Sequence, residues 1–213
     1  MEENKYKKGK PCINSFNLII VAVSHLPANV ICIGVKMIIP GILISIITFP
    51  GVIIHELAHQ IFCYICGLQV YEVKYFQVKN PIGYVVHEAT NHPGKVFLTS
   101  MGPFFINTLL GLLIMLPASI EIIVFKDYGD PLNLNLGWLG FSILMHAFPS
   151  IVDANVMVNQ ILKNREVSII AKILSAPFIL LAYIGAIGSV FWLDAVYAAA
   201  VAMLIPNLLV NLF

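Results

Sequence analysis

Long apolar runs, separated by short polar segments, set the pattern of this chain. A membrane crossing needs about 20 mostly apolar residues. Runs of that kind fall at about 29–49, 52–66, 95–116, 134–159, 168–190 and 192–212. The first contains Lys36, whose long stem can reach back to the interface. Pro50-Gly51 interrupts an apolar stretch too long for one crossing and separates the first run from the second. The second ends at Gly67, a normal helix stop. Between the second and third runs the pattern changes. Val70, Val73, Tyr75, Phe76 and Val78, then Ile82, Tyr84, Val85 and Val86, are β-formers on either side of the turn signal Asn80-Pro81. The pattern predicts an all-α polytopic membrane protein of about six transmembrane helices, with a short β-hairpin between helices 2 and 3. Residues 1–28 read as a cytosolic N-terminal tail and interfacial segment, and 29–213 as one transmembrane domain.

Composition agrees with lipid as the main solvent. Of 213 residues, 59% are hydrophobic and 11% charged, against about 25% charged in soluble domains. A net charge of +1, with no basic stripe beyond the first ten residues, speaks against a nucleic-acid partner. Charge placement also orients the chain. With the N-terminus cytosolic and six alternating spans, 11 of the 12 basic residues fall on or toward the cytosolic side, and Lys126 alone lies opposite. That is the positive-inside bias. Both termini are then cytosolic, and the lysine-rich N-terminus lacks a cleavable signal pattern. This reading suits a prokaryotic plasma membrane. Cys63 and Cys66 form a Cys-x-x-Cys on an apolar helix, where packing explains them better than redox chemistry.

The second run carries His55-Glu56-Leu57-Ala58-His59. Histidines at i and i+4 share a helix face one turn apart, so both imidazoles can reach one zinc ion. Glu56 between them is placed to take a proton from a water on the metal, whose pKa falls from about 15.7 to about 7. A chance match is the plain alternative. Here, however, three ionisable groups sit among Val52, Ile53, Ile54, Leu57, Ala58, Ile61 and Phe62. An unpaired charge at mid-membrane costs on the order of 3 kcal/mol or more, and one zinc per chain gives all three groups a partner.

A catalytic zinc takes a third protein ligand and keeps an open position. Asp153 is the only acidic residue inside the fourth run, just after Pro149. Metal ligation would explain a carboxylate there. A hydrogen bond to Asn155, Asn159 or Asn107 is the structural alternative, and His146 is the rival third ligand. The third run holds Gly102, Pro103 and Asn107. Gly102 and Pro103, taken alone, read more readily as a membrane-helix kink, while Asn107 reads equally well as interhelical glue or as an element that positions a substrate peptide.

Taken together, these residues resemble the site-2 protease family of intramembrane zinc metalloproteases over about residues 50–160. The resemblance rests on His55-Glu56-Leu57-Ala58-His59 on a membrane helix, on Gly102-Pro103 followed by Asn107, and on a later helix bearing Pro149 and Asp153. It implies that 29–213 is a metalloprotease domain with its catalytic core at 50–160. It also implies zinc on His55, His59 and Asp153, Glu56 as general base, and membrane-protein substrates cut within or next to their transmembrane segments. A substrate strand would add beside the 70–88 hairpin. The chain departs from the family where Asp153 is followed by Ala154 rather than glycine and where Met145-His146 replaces an expected asparagine. Those departures keep a non-proteolytic membrane zinc protein as the alternative. A metal transporter is less well matched, because the last two runs carry almost no ionisable residues except Asp194.

Overall fold

The computed structural model describes residues 41–210. The N-terminal tail, most of the first expected span, Lys36 and the end of the last span lie outside the described residues. Within them the chain forms seven α-helices and one two-stranded sheet.

Helix α1 (Gly41–Ile47) and helix α2 (Phe49–Ile65) meet at an 89° bend. The break falls at Thr48, not at Pro50-Gly51 as the sequence suggests. Pro50 lies in the first turn of α2, where a missing N–H costs nothing. Gly67 follows α2 at φ 64°, a conformation glycine adopts without steric penalty. The hairpin is present as β1 (Val70–Lys74) and β2 (Tyr84–His87), antiparallel, with Val73 opposite Val85 and Lys74 opposite Tyr84. The Tyr75 hydroxyl donates to Gln60 on α2, which ties the hairpin to the helix that carries the motif.

Helix α3 (Pro93–Ser119) continues through a π-helical turn, Ile120–Val124. It is followed by α4 (Pro131–Met145) and α5 (Ile151–Met157), the latter extended by a second π turn, Val158–Leu162. The expected fourth span at 134–159 is therefore not one helix. It breaks between Met145 and Ile151. Pro149 has no N–H to continue the ladder, and the N–H of Ser150 bonds the Asp153 carboxylate at 2.9 Å instead of a backbone carbonyl. Helix α6 (Ile169–Gly188) and helix α7 (Leu193–Val210) complete the chain.

Two helices among the described residues, Pro93–Val124 and Ile169–Phe191, are long and apolar enough to cross a membrane, or three spans if the bent α1–α2 pair counts as one. The six full-length spans of the sequence reading are not all seen as such, because α4, α5 and α7 are short or broken. Large apolar side chains on the outside, among them Leu109, Leu113, Ile173, Leu174 and Leu204, are each more than half exposed. That surface suits acyl chains and not water.

Inside, one apolar cluster joins α3, α5 and α6 through Met101, Met157, Ile161 and Ile179. A second joins α4 and α7 through Leu144, Met145 and Ala198. Helices α3 and α4 touch backbone to backbone: a Cβ on Gly140 would lie 2.8 Å from the Met115 nitrogen. Small residues at such crossings let membrane helices pack by close contact.

Candidate metal centre

The start of α2 is fixed by its neighbours and not by its own cap. The Ser142 hydroxyl, from α4, accepts from the Gly51 N–H at 3.1 Å and donates to the Thr48 carbonyl at 2.8 Å. Gly51 sits against α4 so closely that any Cβ would collide with the Ser142 carbonyl. This contact sets the height and rotation of α2, and with them the direction of His55 and His59.

The two imidazoles lie with ring centres 4.9 Å apart and planes at 75°. His55 Nδ1 is 2.8 Å from the His146 carbonyl, and His59 Nδ1 is 2.8 Å from the Thr99 carbonyl. A carbonyl can only accept, so each ring carries a proton on Nδ1, and Nε2 is the nitrogen left to bind a metal. Asp153 Oδ2 lies 3.7 Å from His59 Nε2. One ligand atom from each of His55, His59 and Asp153 falls within 4.8 Å of the other two. A tetrahedral zinc with bonds of about 2.0–2.1 Å holds its ligands about 3.3 Å apart, so a modest closing of this cluster would seat the ion. Donor chemistry fits as well: two imidazoles and one carboxylate are a ligand set that zinc takes, with a fourth position open to water. The side chains of His59 and Asp153 are 12% and 20% exposed, so the cluster is shielded without being sealed.

Asp153 owes its position to a capping box. Ser150 Oγ accepts from the Asp153 N–H at 3.2 Å, while the Asp153 carboxylate accepts from the Ser150 N–H at 2.9 Å and the Ser150 hydroxyl at 2.6 Å. None of the asparagines weighed as partners holds it. Asn155 is engaged with Tyr183 at 2.6 Å, and Asn107 lies elsewhere.

The rival ligand His146 is not in the cluster. Its Nε2 is 2.7 Å from the Thr48 hydroxyl, whose own proton goes to the Ile44 carbonyl. The ring therefore braces the α1–α2 bend, and only its backbone carbonyl reaches His55. Asn107 is fully buried, and its amide N–H groups lie 2.9 Å from the His146 carbonyl and 3.3 Å from those of Gly51 and Ile143. Gly102 lets α3 approach the Phe62 ring, where a Cβ would clash, and Pro103 is buried beside it. These three residues face the protein interior.

Glu56 is buried, at 9% exposed, between the two histidines. The hairpin tip packs on it: a Cβ on Gly83 would lie 2.6 Å from Glu56 Cγ and 2.8 Å from its Oε1. Beyond this contact a cavity of about 600 Å³ opens, walled by His55, Glu56, Pro81, Phe148, Trp192 and Asp194. His87, Glu88 and His92 stand outside the cluster. Sequence reasoning missed Ser150, Thr99 and Gly83. Ser150-x-x-Asp153 is a readable capping box, and the Thr99 carbonyl lies four residues before Pro103. Gly83 carried no local signal, because its neighbour is 27 residues away. Comparison with protein-family models, with characterised proteins and with solved structures returns no match for this chain.

Proposed function

We propose that this chain is an intramembrane zinc endopeptidase of the site-2 protease type, with about six spans and cytosolic termini, acting on membrane-protein substrates. The observation that carries the reading is the convergence of His55, His59 and Asp153 around one point, with Glu56 beside them at the edge of a cavity. His55, His59 and Asp153 would hold the ion. Zinc, when bound, supplies the Lewis acidity that makes water a nucleophile near neutral pH. Glu56 would accept a proton from an attacking water and pass it to the leaving amine. Burial of Glu56 keeps bulk water from competing for this proton. Among the described residues the hairpin is a two-stranded sheet, and an unwound substrate segment can add its backbone hydrogen bonds along an outer edge.

A second reading, a membrane zinc protein without proteolysis, draws on two observations. Gly83 sits on Glu56, and Asn107 is too buried to touch a substrate. The first experiment is the zinc content of detergent-purified wild type, His55→Ala, Asp153→Ala and Glu56→Gln. One zinc per chain, kept in Glu56→Gln and lost or weakened in the other two, supports the centre. No zinc in reconstituted wild type sinks it. Cleavage that disappears in Glu56→Gln then separates the protease from its inactive alternative.

A further inference from the structure

We propose that Pro103, Asn107 and Ser150 are positioning residues of the metal centre: Pro103 and Asn107 act through two backbone carbonyls that prolines leave without a helical partner, and Ser150 acts through the Asp153 carboxylate. The inference rests on the metal-centre reading and changes the role expected for Pro103 and Asn107 from substrate contact to control of the histidine tautomers.

Consider His59 first. In a regular helix the Thr99 carbonyl would accept from the N–H of residue 103. Pro103 has none, and the carbonyl instead takes the His59 Nδ1 proton at 2.8 Å. The His55 side follows the same logic by different means. The His146 carbonyl could accept from residue 149 or 150 downstream. Pro149 has no N–H, and that of Ser150 is held by Asp153 at 2.9 Å. The carbonyl is left to His55 Nδ1 at 2.8 Å and to Asn107 at 2.9 Å. Asn107 also bonds Gly51 on α2 and Ile143 on α4, so it ties the carbonyl to the helix that carries His55.

One capping box therefore does two things. It aims the Asp153 carboxylate, and it removes the competitor for the carbonyl that orients His55. In a water-poor site a free carbonyl is costly, so each released carbonyl and each Nδ1–H need one another. Both rings are held through Nδ1, and His59 Nε2 stands 3.7 Å from Asp153 Oδ2, before any metal arrives. Partners of this kind typically contribute 10–100-fold to metal affinity.

Pro103→Ala is the sharpest test, because it restores an N–H that competes for the Thr99 carbonyl. Zinc affinity, measured by chelator competition with the metal alone, should fall about 10-fold. The metal-free protein should melt no lower than wild type, since a helix bond is gained. Nitrogen-15 spectra of the metal-free protein should show both wild-type rings as Nδ1–H and a tautomer mixture at His59 in Pro103→Ala. Asn107→Ala should produce the mixture at His55. Unchanged affinity and tautomers in Pro103→Ala would overturn the proposal. So would affinity and metal-free stability falling in parallel in both variants, the mark of a merely structural role. If wild type binds no zinc, the metal-centre reading fails. The metal-free spectra still decide this inference: Nδ1–H on both rings supports it, and a wild-type mixture refutes it.

Discussion

Replacing Ser150 by alanine separates helix capping from metal binding, and it needs no knowledge of a substrate. The side chain makes two bonds. It accepts from the Asp153 N–H at 3.2 Å and donates to the Asp153 carboxylate at 2.6 Å. Ser150→Ala removes both, while the backbone bond from residue 150 to the carboxylate at 2.9 Å can persist. Loss of an N-cap costs about 1 kcal/mol. For a chain of this size that lowers Tm by roughly 2–4 °C. The carboxylate keeps one of its two donors, so its aim is loosened and not lost. Zinc affinity should then fall about 10-fold, the low end for partners that orient a ligand. Asp153→Ala, which deletes the ligand itself, should fall much further.

Chelator competition gives the affinity, and a melting curve on the metal-free protein gives the cap. Ser150→Thr keeps the hydroxyl and should restore most of both. A Ser150→Ala protein that melts a few degrees lower yet binds zinc like wild type would refute a role in metal binding. Ser150 would then be a helix cap and nothing more, and the aim of Asp153 would have to come from elsewhere.

Other outcomes follow from the same geometry. Gly83→Ala would put a Cβ 2.6 Å from Glu56 Cγ. The tip cannot easily yield, because Gln77 bonds Pro81 at 2.6 Å and Ile82 at 2.7 Å within it. A displacement of Glu56 near 1 Å should slow the proposed peptide hydrolysis about 100-fold with zinc content unchanged, read by turnover alongside metal analysis. Thr48→Val removes the acceptor of His146 Nε2. It should destabilise the α1–α2 bend by about 1–3 kcal/mol, seen as a lower Tm, with zinc stoichiometry still one per chain. Zinc at a hundred times its Kd should stabilise the folded chain by about 2.7 kcal/mol, so chelation should lower Tm by roughly 5–10 °C in wild type and leave His55→Ala unmoved.

Much of this was legible in the sequence, and for a physical reason: local periodicity fixes local direction. His55 and His59 at i and i+4 had to share a face. The β-formers flanking Asn80-Pro81 had to leave the helix pattern, and Asp153 was conspicuous because a carboxylate is costly in apolar surroundings. Less legible was anything decided by two segments at once. The fourth run is apolar enough to read as one span, yet Pro149 and the Ser150–Asp153 capping box cut it in two. Pro50-Gly51 reads as the bend, but proline in a first helical turn starts α2, and Thr48 takes the corner. His146 looked like a ligand because histidine is one by chemistry. Its ring is committed to Thr48, 98 positions away, and no local pattern can announce that.

Prolines inside the apolar runs help to shape the candidate site. An unbroken helix consumes its own carbonyls and offers only side chains to its neighbours. A membrane interior has little water to orient an imidazole, so the orienting acceptor must come from protein. This chain supplies it from two places where a proline prevents a helix from satisfying itself, at Pro103 and at Pro149. The arrangement is possible only because those carbonyls face α2, which Gly51 and Ser142 pull against α4. A bulky residue at position 51 would push α2 away and separate both Nδ1 protons from their acceptors together. Gly51→Val should therefore abolish zinc binding although it changes no ligand. Retention of wild-type affinity in that variant would show that the histidines do not depend on the released carbonyls.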